Sequence, residues 1–163
     1  ATANAFATAL AFADASADLA LFLQGLDRLT VDPMFALAEI NRILKPGGTL
    51  FLSTSNLASW KAAIDLLTGS SPLSSSKFSR SRRPGEIPGR EWVPKELEAL
   101  LKAAGFEPAL TSQNVYHSAT PERIRELLTA AGISNNLSGD TLFAVAEKTG
   151  PVADRYPAQF YSD

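Results

Sequence analysis

Apolar residues along this chain fall into short blocks set apart by polar, Gly and Pro residues. Asp18 to Leu23, DLALFL, is an apolar run of strand length and predicts a strand buried on both faces. Asp32-Pro33 then predicts a helix start. The Asp32 side chain can accept from free backbone N–H groups, and Pro33 suits the first helical position. Met34, Leu37, Ile40 and Leu44 recur at helical spacing and give that helix one apolar face. Lys45-Pro46-Gly47-Gly48 predicts its stop: a cation, a residue that breaks helices, and glycines free to take left-handed angles. Thr49 to Thr54, TLFLST, reads as a second strand. Strand, helix, tight turn and strand make a βαβ crossover, which requires parallel strands and a right-handed connection.

Leu57 to Thr68 has helical character. GSSPLSSSKFSRSRRPGEIPGRE, residues 69–91, reads as a long irregular loop, either a functional lid or a mobile segment. From Pro94 to Ala104, Leu97, Leu100, Leu101 and Ala104 share one helical face, and Gly105 ends the helix. Phe106 to Tyr116 has strand character. Thr120-Pro121 is expected to cap a helix with Ile124, Leu127 and Leu128 on its apolar face, closed by Gly132. Thr141 to Glu147, TLFAVAE, is the last strand. Alternating strands and helices imply α/β architecture, with residues 1–163 as a single domain.

Composition narrows the chemistry. Hydrophobic residues make up 45% and charged residues 20%, a globular balance. The formal net charge of -2 argues against a dedicated nucleic-acid partner. There is no cysteine and His117 is the only histidine, so neither a thiolate nor a histidine-built metal site is expected. No run approaches the roughly 20 apolar residues that span a bilayer. The Ala-rich first residues lack a basic start and a continuous apolar run, so the expected location is cytoplasmic.

Specific segments carry a family resemblance. DRLTVDPMFALAEINRILKPGGTLFLSTSN, with LKPGG between an amphipathic helix and an apolar strand, resembles the second half of class I S-adenosylmethionine-dependent methyltransferases. REWVPKELEALLKAAGFEP resembles the later family segment in which a helix ends in AGF. GDTLFAVAEKTGPVADRYP is similar to the family's antiparallel last strand and a tail seen in bacterial members. The resemblance spans roughly residues 10–157. It implies a Rossmann-like, doubly wound sheet, mostly parallel with an antiparallel last strand and incomplete at its N-terminal side. It also implies S-adenosylmethionine as cofactor and methyl transfer to a small-molecule or glycan-precursor acceptor.

The departures from the family pattern are specific. No Gly precedes Gly25, so the family's Gly-rich first loop has no counterpart here, and neither does the acidic residue that binds the cofactor ribose. In QGLDRL, Gln24 and Asp27 each stand where the family often has Glu, and Arg28 where it has His; Ser55 stands where Pro is common. Either the first half exists outside this chain, or the chain is a truncated relative acting as a non-catalytic binding or assembly module. A parallel sheet without its first strands would expose an apolar edge and favour a homodimer.

Methyl transfer needs donor and acceptor held in line and at most one proton removed. Ligands of open parallel sheets bind beyond the carboxyl ends of the strands. The resemblance therefore implies that Leu23, Gln24 and Gly25 line the cofactor cleft and that Asp27 and Arg28 face the substrate; the bland alternative makes Asp27 and Arg28 a solvated turn pair. Asn56 either contacts substrate or caps the following helix. His117 is a candidate general base, histidine's usual pKa of about 6.5 suiting that role, or else an exposed loop residue. Arg80, Arg82 and Arg83, with Lys77 and Arg90, could form a lid that recognises a phosphorylated or nucleotide-linked acceptor; otherwise they are a solvated charge run. Trp60 and Trp92 flank that loop as packing residues or as walls of the acceptor site. Tyr156, Phe160 and Tyr161 are expected to dock on the sheet or on a partner chain.

Overall fold

β1 (Ala17–Leu23) and β2 (Leu44–Ser55) pair in parallel, joined across α1 (Pro33–Ile43), as the crossover requires. The computed structural model describes residues 9–29, 32–73, 90–132 and 135–162. Beyond β2 come α2 (Trp60–Leu67), α3 (Pro94–Ala103), β3 (Phe106–Gln113), α4 (Glu122–Ala130) and β4 (Thr141–Lys148). The sheet order is β1-β2-β4-β3, and β4 runs antiparallel to both of its neighbours. β1, β2 and β3 therefore point the same way and end on one edge.

α1 starts as its sequence dictates. Asp32 accepts from the Met34 N–H at 2.8 Å and Pro33 occupies the first helical turn. The stop differs from expectation. The helix ends at Ile43 with Arg42 as its terminal cation, while Lys45-Pro46-Gly47 already belongs to β2. Gly47 takes φ 75°, and the β1–β2 register shifts between Ala17 and Leu19. A left-handed residue inside a strand is the signature of a bulge, which re-aims the chain as it leaves the helix. Lys45 reaches across to Asp18 at 2.7 Å instead of capping the helix.

One sheet face carries the core. Phe22, Leu50, Leu52, Leu142, Ala144, Ala146 and Phe106 meet Met34, Leu37 and Ile40 of α1 and Leu97, Leu100 and Leu101 of α3. Each such side chain contributes about 1.5–3 kcal/mol on burial. The opposite face is open. Leu19, Leu21, Leu23 and Val145 are 56%, 64%, 53% and 50% exposed, so β1 is an edge strand rather than one buried on both faces. Phe51 and Phe143 lie on that open face with ring centroids 6.1 Å apart.

Two helix expectations are corrected. α4 forms, but none of its residues is buried: Leu127 is 66% exposed, and Ile124 and Leu128 are only half-buried. Its N-cap is Pro121, which offers no side-chain bond, while the Thr120 hydroxyl accepts from Asn114 at 3.4 Å. α2 is shorter than expected and is capped by Ser59, which accepts from Ala62 N–H at 3.1 Å.

The chain after β4 folds back onto α1. Arg155 pairs with Asp32 at 2.6 Å, the Tyr161 hydroxyl donates to the same carboxylate, and Phe160 and Tyr161 pack against the core. Tyr156 stays exposed, edge-on to Tyr161. Burial would raise the Asp32 pKa, but hydrogen bonds from Arg155 and Tyr161 outweigh it and hold the carboxyl below its ordinary range. A carboxyl depressed on folding stabilises above its unfolded pKa, and that stabilisation fades as pH falls through the folded value. Asp32→Ala loses a helix cap and the tail ion pair, expected to cost roughly 2 kcal/mol at neutral pH. The gap between variant and parent in urea melts should narrow as pH falls below the usual carboxylate range; a gap independent of pH would contradict this role.

Candidate functional site

The shared carboxyl edge gathers the ends of β1, β2 and β3 and the start of β4. At the end of β1 the chain turns sharply: Gln24 takes φ 48°. Its backbone N–H donates to the Ser53 carbonyl at 2.9 Å, and its amide nitrogen lies 3.3 Å from the Ser53 hydroxyl. Gly25 follows, so close to Phe22 that a Cβ there would sit 2.3 Å from the ring. Leu23 projects from the open face. A short 3-10 turn, Leu26–Arg28, then buries Leu26 and leaves Arg28 exposed.

Asp27 is more than a solvated turn residue. Ser55, at the end of β2, donates its hydroxyl to Asp27 Oδ2 at 2.6 Å. Asp27 Oδ1 is buried without a hydrogen-bond partner among the described residues, as is Thr54 Oγ1 in β2. A buried carboxylate oxygen with no donor is costly, and a bound group that donates hydrogen bonds would relieve it.

Asn56 is committed within the chain. It is 4% exposed, donates to the carbonyls of Leu137 and Gly139 at 3.0 and 2.6 Å, and accepts from Ala58 N–H at 3.0 Å. It neither faces open space nor caps α2; it ties the end of β2 to the loop before β4. His117 lies beyond β3 on the same edge, its ring against Asp140. Arg80, Arg82, Arg83 and Lys77 lie outside the described residues.

Trp60 is half-buried and donates to Asn114 at 3.1 Å, while Trp92 is a core residue at 1% exposure. A cavity of about 250 Å³ lies beside Leu26, lined also by Leu29, Pro33, Arg90, Trp92, Phe160 and Tyr161. Arg90 stacks over Trp92 and Phe160, 4.9 and 5.3 Å from their ring centroids, and pairs with Glu96. Among the described residues, no group of three or more His, Asp or Glu side chains could hold a metal ion, and no helix is long and apolar enough to cross a membrane.

Sequence reasoning did not single out Asp140. It is buried, it precedes β4, and it gathers the loop after β3 around its carboxylate. The available signal was a charged residue directly before an apolar strand, at the edge where ligands bind. Ser53 reads only as a strand residue and Ser55 only as a replacement for the family's Pro, because nothing in a single strand reveals which turn it supports.

Residues 2–52 match the model of a methyltransferase domain family. Among solved structures, the chain is similar to an S-adenosylmethionine-dependent methyltransferase from Thermotoga maritima, described as a possible histamine N-methyltransferase. The two are 23% identical with a TM-score of 0.56, over 85% of this chain and 59% of that one. An S-adenosylmethionine-dependent methyltransferase from Methanosarcina mazei is 21% identical with a TM-score of 0.54, over 86% of this chain and 63% of that one. The [4+2]-cyclase SpnF is 21% identical with a TM-score of 0.51, over 88% of this chain and 54% of that one. The chain thus spans less than two thirds of each of these proteins. No curated protein matches it.

Proposed function

Taking as premise that the described residues carry the Rossmann-like fold of class I S-adenosylmethionine-dependent methyltransferases, we propose that this protein transfers a methyl group from S-adenosylmethionine to a small-molecule or glycan-precursor acceptor, in the cytoplasm. One observation supports the reading: the form of the chain at the end of β1. A left-handed Gln24, a Gly25 without side chain, the exposed Leu23 and the unpartnered Asp27 Oδ1 follow one another on the carboxyl edge. Because SpnF has a similar fold, fold alone does not choose the reaction; the methyltransferase domain match at residues 2–52 supports methyl transfer.

The residues present fit the cofactor. An acceptor oxygen lacking a donor suits the ammonium, ribose hydroxyl and amino groups of S-adenosylmethionine, and the exposed Leu23 would give its adenine an apolar contact. Leu23, Gln24 and Gly25 would hold it. When bound, it supplies an electrophilic methyl group. Asp27, braced by Ser55, would orient bound groups by accepting hydrogen bonds, and Arg28 would face the acceptor with its charge. Arg80, Arg82 and Arg83 would bind acidic acceptor groups.

Saturating S-adenosylmethionine or S-adenosylhomocysteine should raise the melting temperature by several degrees, since a ligand at about 100 times its Kd adds roughly 2.7 kcal/mol. Calorimetry should give one site per chain. No heat and no shift at millimolar ligand would sink the proposal.

A second reading draws on the open sheet face. Leu19, Leu21, Leu23 and Val145 form an uncovered apolar surface beside the unpaired edge of β1. On this reading the chain is a non-catalytic assembly module that pairs with a second copy. Light scattering decides it: a mass twice that of one chain supports pairing, and a monomer at 50 μM or so rules it out.

A further inference from the structure

We propose that His117, oriented by Asp140, is the proton acceptor of this site, and that the acceptors it serves are small molecules methylated on a hydroxyl oxygen or on a nitrogen that carries a proton. The inference rests on the proposed methyl transfer and adds the acceptor chemistry.

The two residues meet on the carboxyl edge. β3 ends at Gln113, and the next residues wrap around Asp140: its carboxylate accepts from the backbone N–H groups of Val115, Tyr116 and His117 at 2.9, 2.9 and 2.8 Å. The Thr141 hydroxyl donates to it at 2.9 Å, and His117 Nδ1 lies 3.1 Å from its Oδ2. The loop is tied to its neighbours. Asn56 N–H donates to the Asp140 carbonyl at 2.9 Å, and Asn114 receives the Trp60 indole N–H. His117 thus stands on a braced frame rather than on a free loop.

That frame decides which ring nitrogen is available. Burial would raise the Asp140 pKa, but the hydrogen bonds from Val115, Thr141, Tyr116 and His117 outweigh it and keep the carboxyl below its ordinary range. An ionised carboxylate only accepts, so Nδ1 must carry the hydrogen that it shares with Asp140. Nε2 is then left as a lone-pair acceptor on a side chain that is 47% exposed, while Asp140 is 7% exposed. Base held by carboxylate, with the far nitrogen free, is the arrangement that general-base histidines use. Three backbone N–H bonds would suffice to shape the loop; the contact to the ring acts only on the orientation of the imidazole. Asp140 is therefore a positioning residue.

The step balances without a further reactant. The acceptor oxygen or nitrogen forms a bond to the methyl carbon of the sulfonium donor, and the carbon–sulfur bond breaks with its electron pair left on sulfur. The acceptor's proton passes to His117 Nε2 and then to water. Among the described residues, the charged group in contact with the ring is Asp140.

Two measurements on the full protein test the pair. Nitrogen-15 NMR of the unliganded protein reads the tautomer directly. In the neutral ring, Nδ1–H should dominate, and Asp140→Asn should shift the ring toward the Nε2–H form. A wild-type ring already in the Nε2–H form overturns the orientation. The second is transfer of radiolabelled methyl from S-adenosylmethionine to catechol, 4-nitrophenol and 4-methoxyaniline. His117→Ala should slow transfer roughly 100-fold and regain rate with added imidazole. It should leave cofactor affinity unchanged. Transfer unaffected by His117→Ala, loss without imidazole rescue, or no transfer to any of the three by protein that binds cofactor each overturns this inference while sparing the broader one. Failure to bind cofactor overturns the broader one, and with it the step.

Discussion

Gly105→Ala should destabilise the protein by roughly 3–4 kcal/mol in urea unfolding, whereas Gly150→Ala should change it by less than about 0.5 kcal/mol. Gly105 sits just past α3 with φ 85°, a left-handed angle that costs an L residue about 1–2 kcal/mol. Space adds the larger part. A Cβ there would lie 2.4 Å from the Pro151 carbonyl oxygen and 2.6 Å from that of Gly150, both backbone atoms that cannot swing aside. Those atoms are themselves held. Thr149 N–H donates to the Gly105 carbonyl at 3.0 Å, and the Asn41 amide donates to the carbonyls of Ala104 and Gly150 at 2.8 and 2.9 Å. Relief of the clash would disturb α1, α3 and the tail together. At Gly150 a Cβ meets nothing within 4 Å, so that variant isolates the general effect of losing a glycine. Equal destabilisation of the two variants would refute the contact between the AGF turn and the tail.

Trp92→Ala is expected to cost roughly 3–5 kcal/mol, and Trp92→Phe only about 1–2 kcal/mol. Trp92 is 1% exposed and lies edge-on to Phe160, centroids 5.8 Å apart. Its backbone forms a parallel bridge with Asn56, and its carbonyl accepts from Leu57 N–H at 3.0 Å. The alanine variant leaves a cavity between α3 and the tail and loosens the chain beside β2. Phenylalanine refills most of the space. Because Trp92 Nε1 is buried with no hydrogen-bond partner, losing it removes no bond. Should Phe prove as damaging as Ala, that nitrogen has a partner whose loss matters. Loss of the near-ultraviolet aromatic signal without loss of helix content would locate the damage in the tail.

Local chemistry made most elements legible. α1 begins at Asp32-Pro33 because one side chain and one ring satisfy the helix start within three residues, and no tertiary contact is needed. The strand boundaries of β1, β3 and β4 fall within a few residues of their apolar runs for the same reason. Where expectation failed, a remote neighbour decided. The LKPGG segment looked like a plain helix stop, yet Lys45-Pro46-Gly47 joins β2 because Asp18 of β1 lies opposite. The apolar stripe of α4 implied burial, but periodicity shows only that a face exists, not that anything lies against it.

The site divides in the same way. The carboxyl edge was legible, and Leu23, Gln24 and Gly25 could be placed on it from topology alone, since the order of strand and helix determines which loops share an edge. Which of those residues are free to act could not. Asn56 read as a ligand candidate until its amide was seen spent on Leu137 and Gly139, more than 80 residues away. Asp140 carried no role in the sequence beyond preceding the last strand; in the structure three N–H groups from the end of β3 converge on it. The sequence by itself determined the α/β class, the parallel crossover, the helix starts and the edge that would bind a ligand, because each depends on spacing or on contacts within a few residues. Only the tertiary structure decided which sheet face is covered, which carboxylates are buried and which of them lies against the His117 ring. Those outcomes depend on hydrogen bonds and packing between residues far apart in the chain, and local spacing carries no record of such partners.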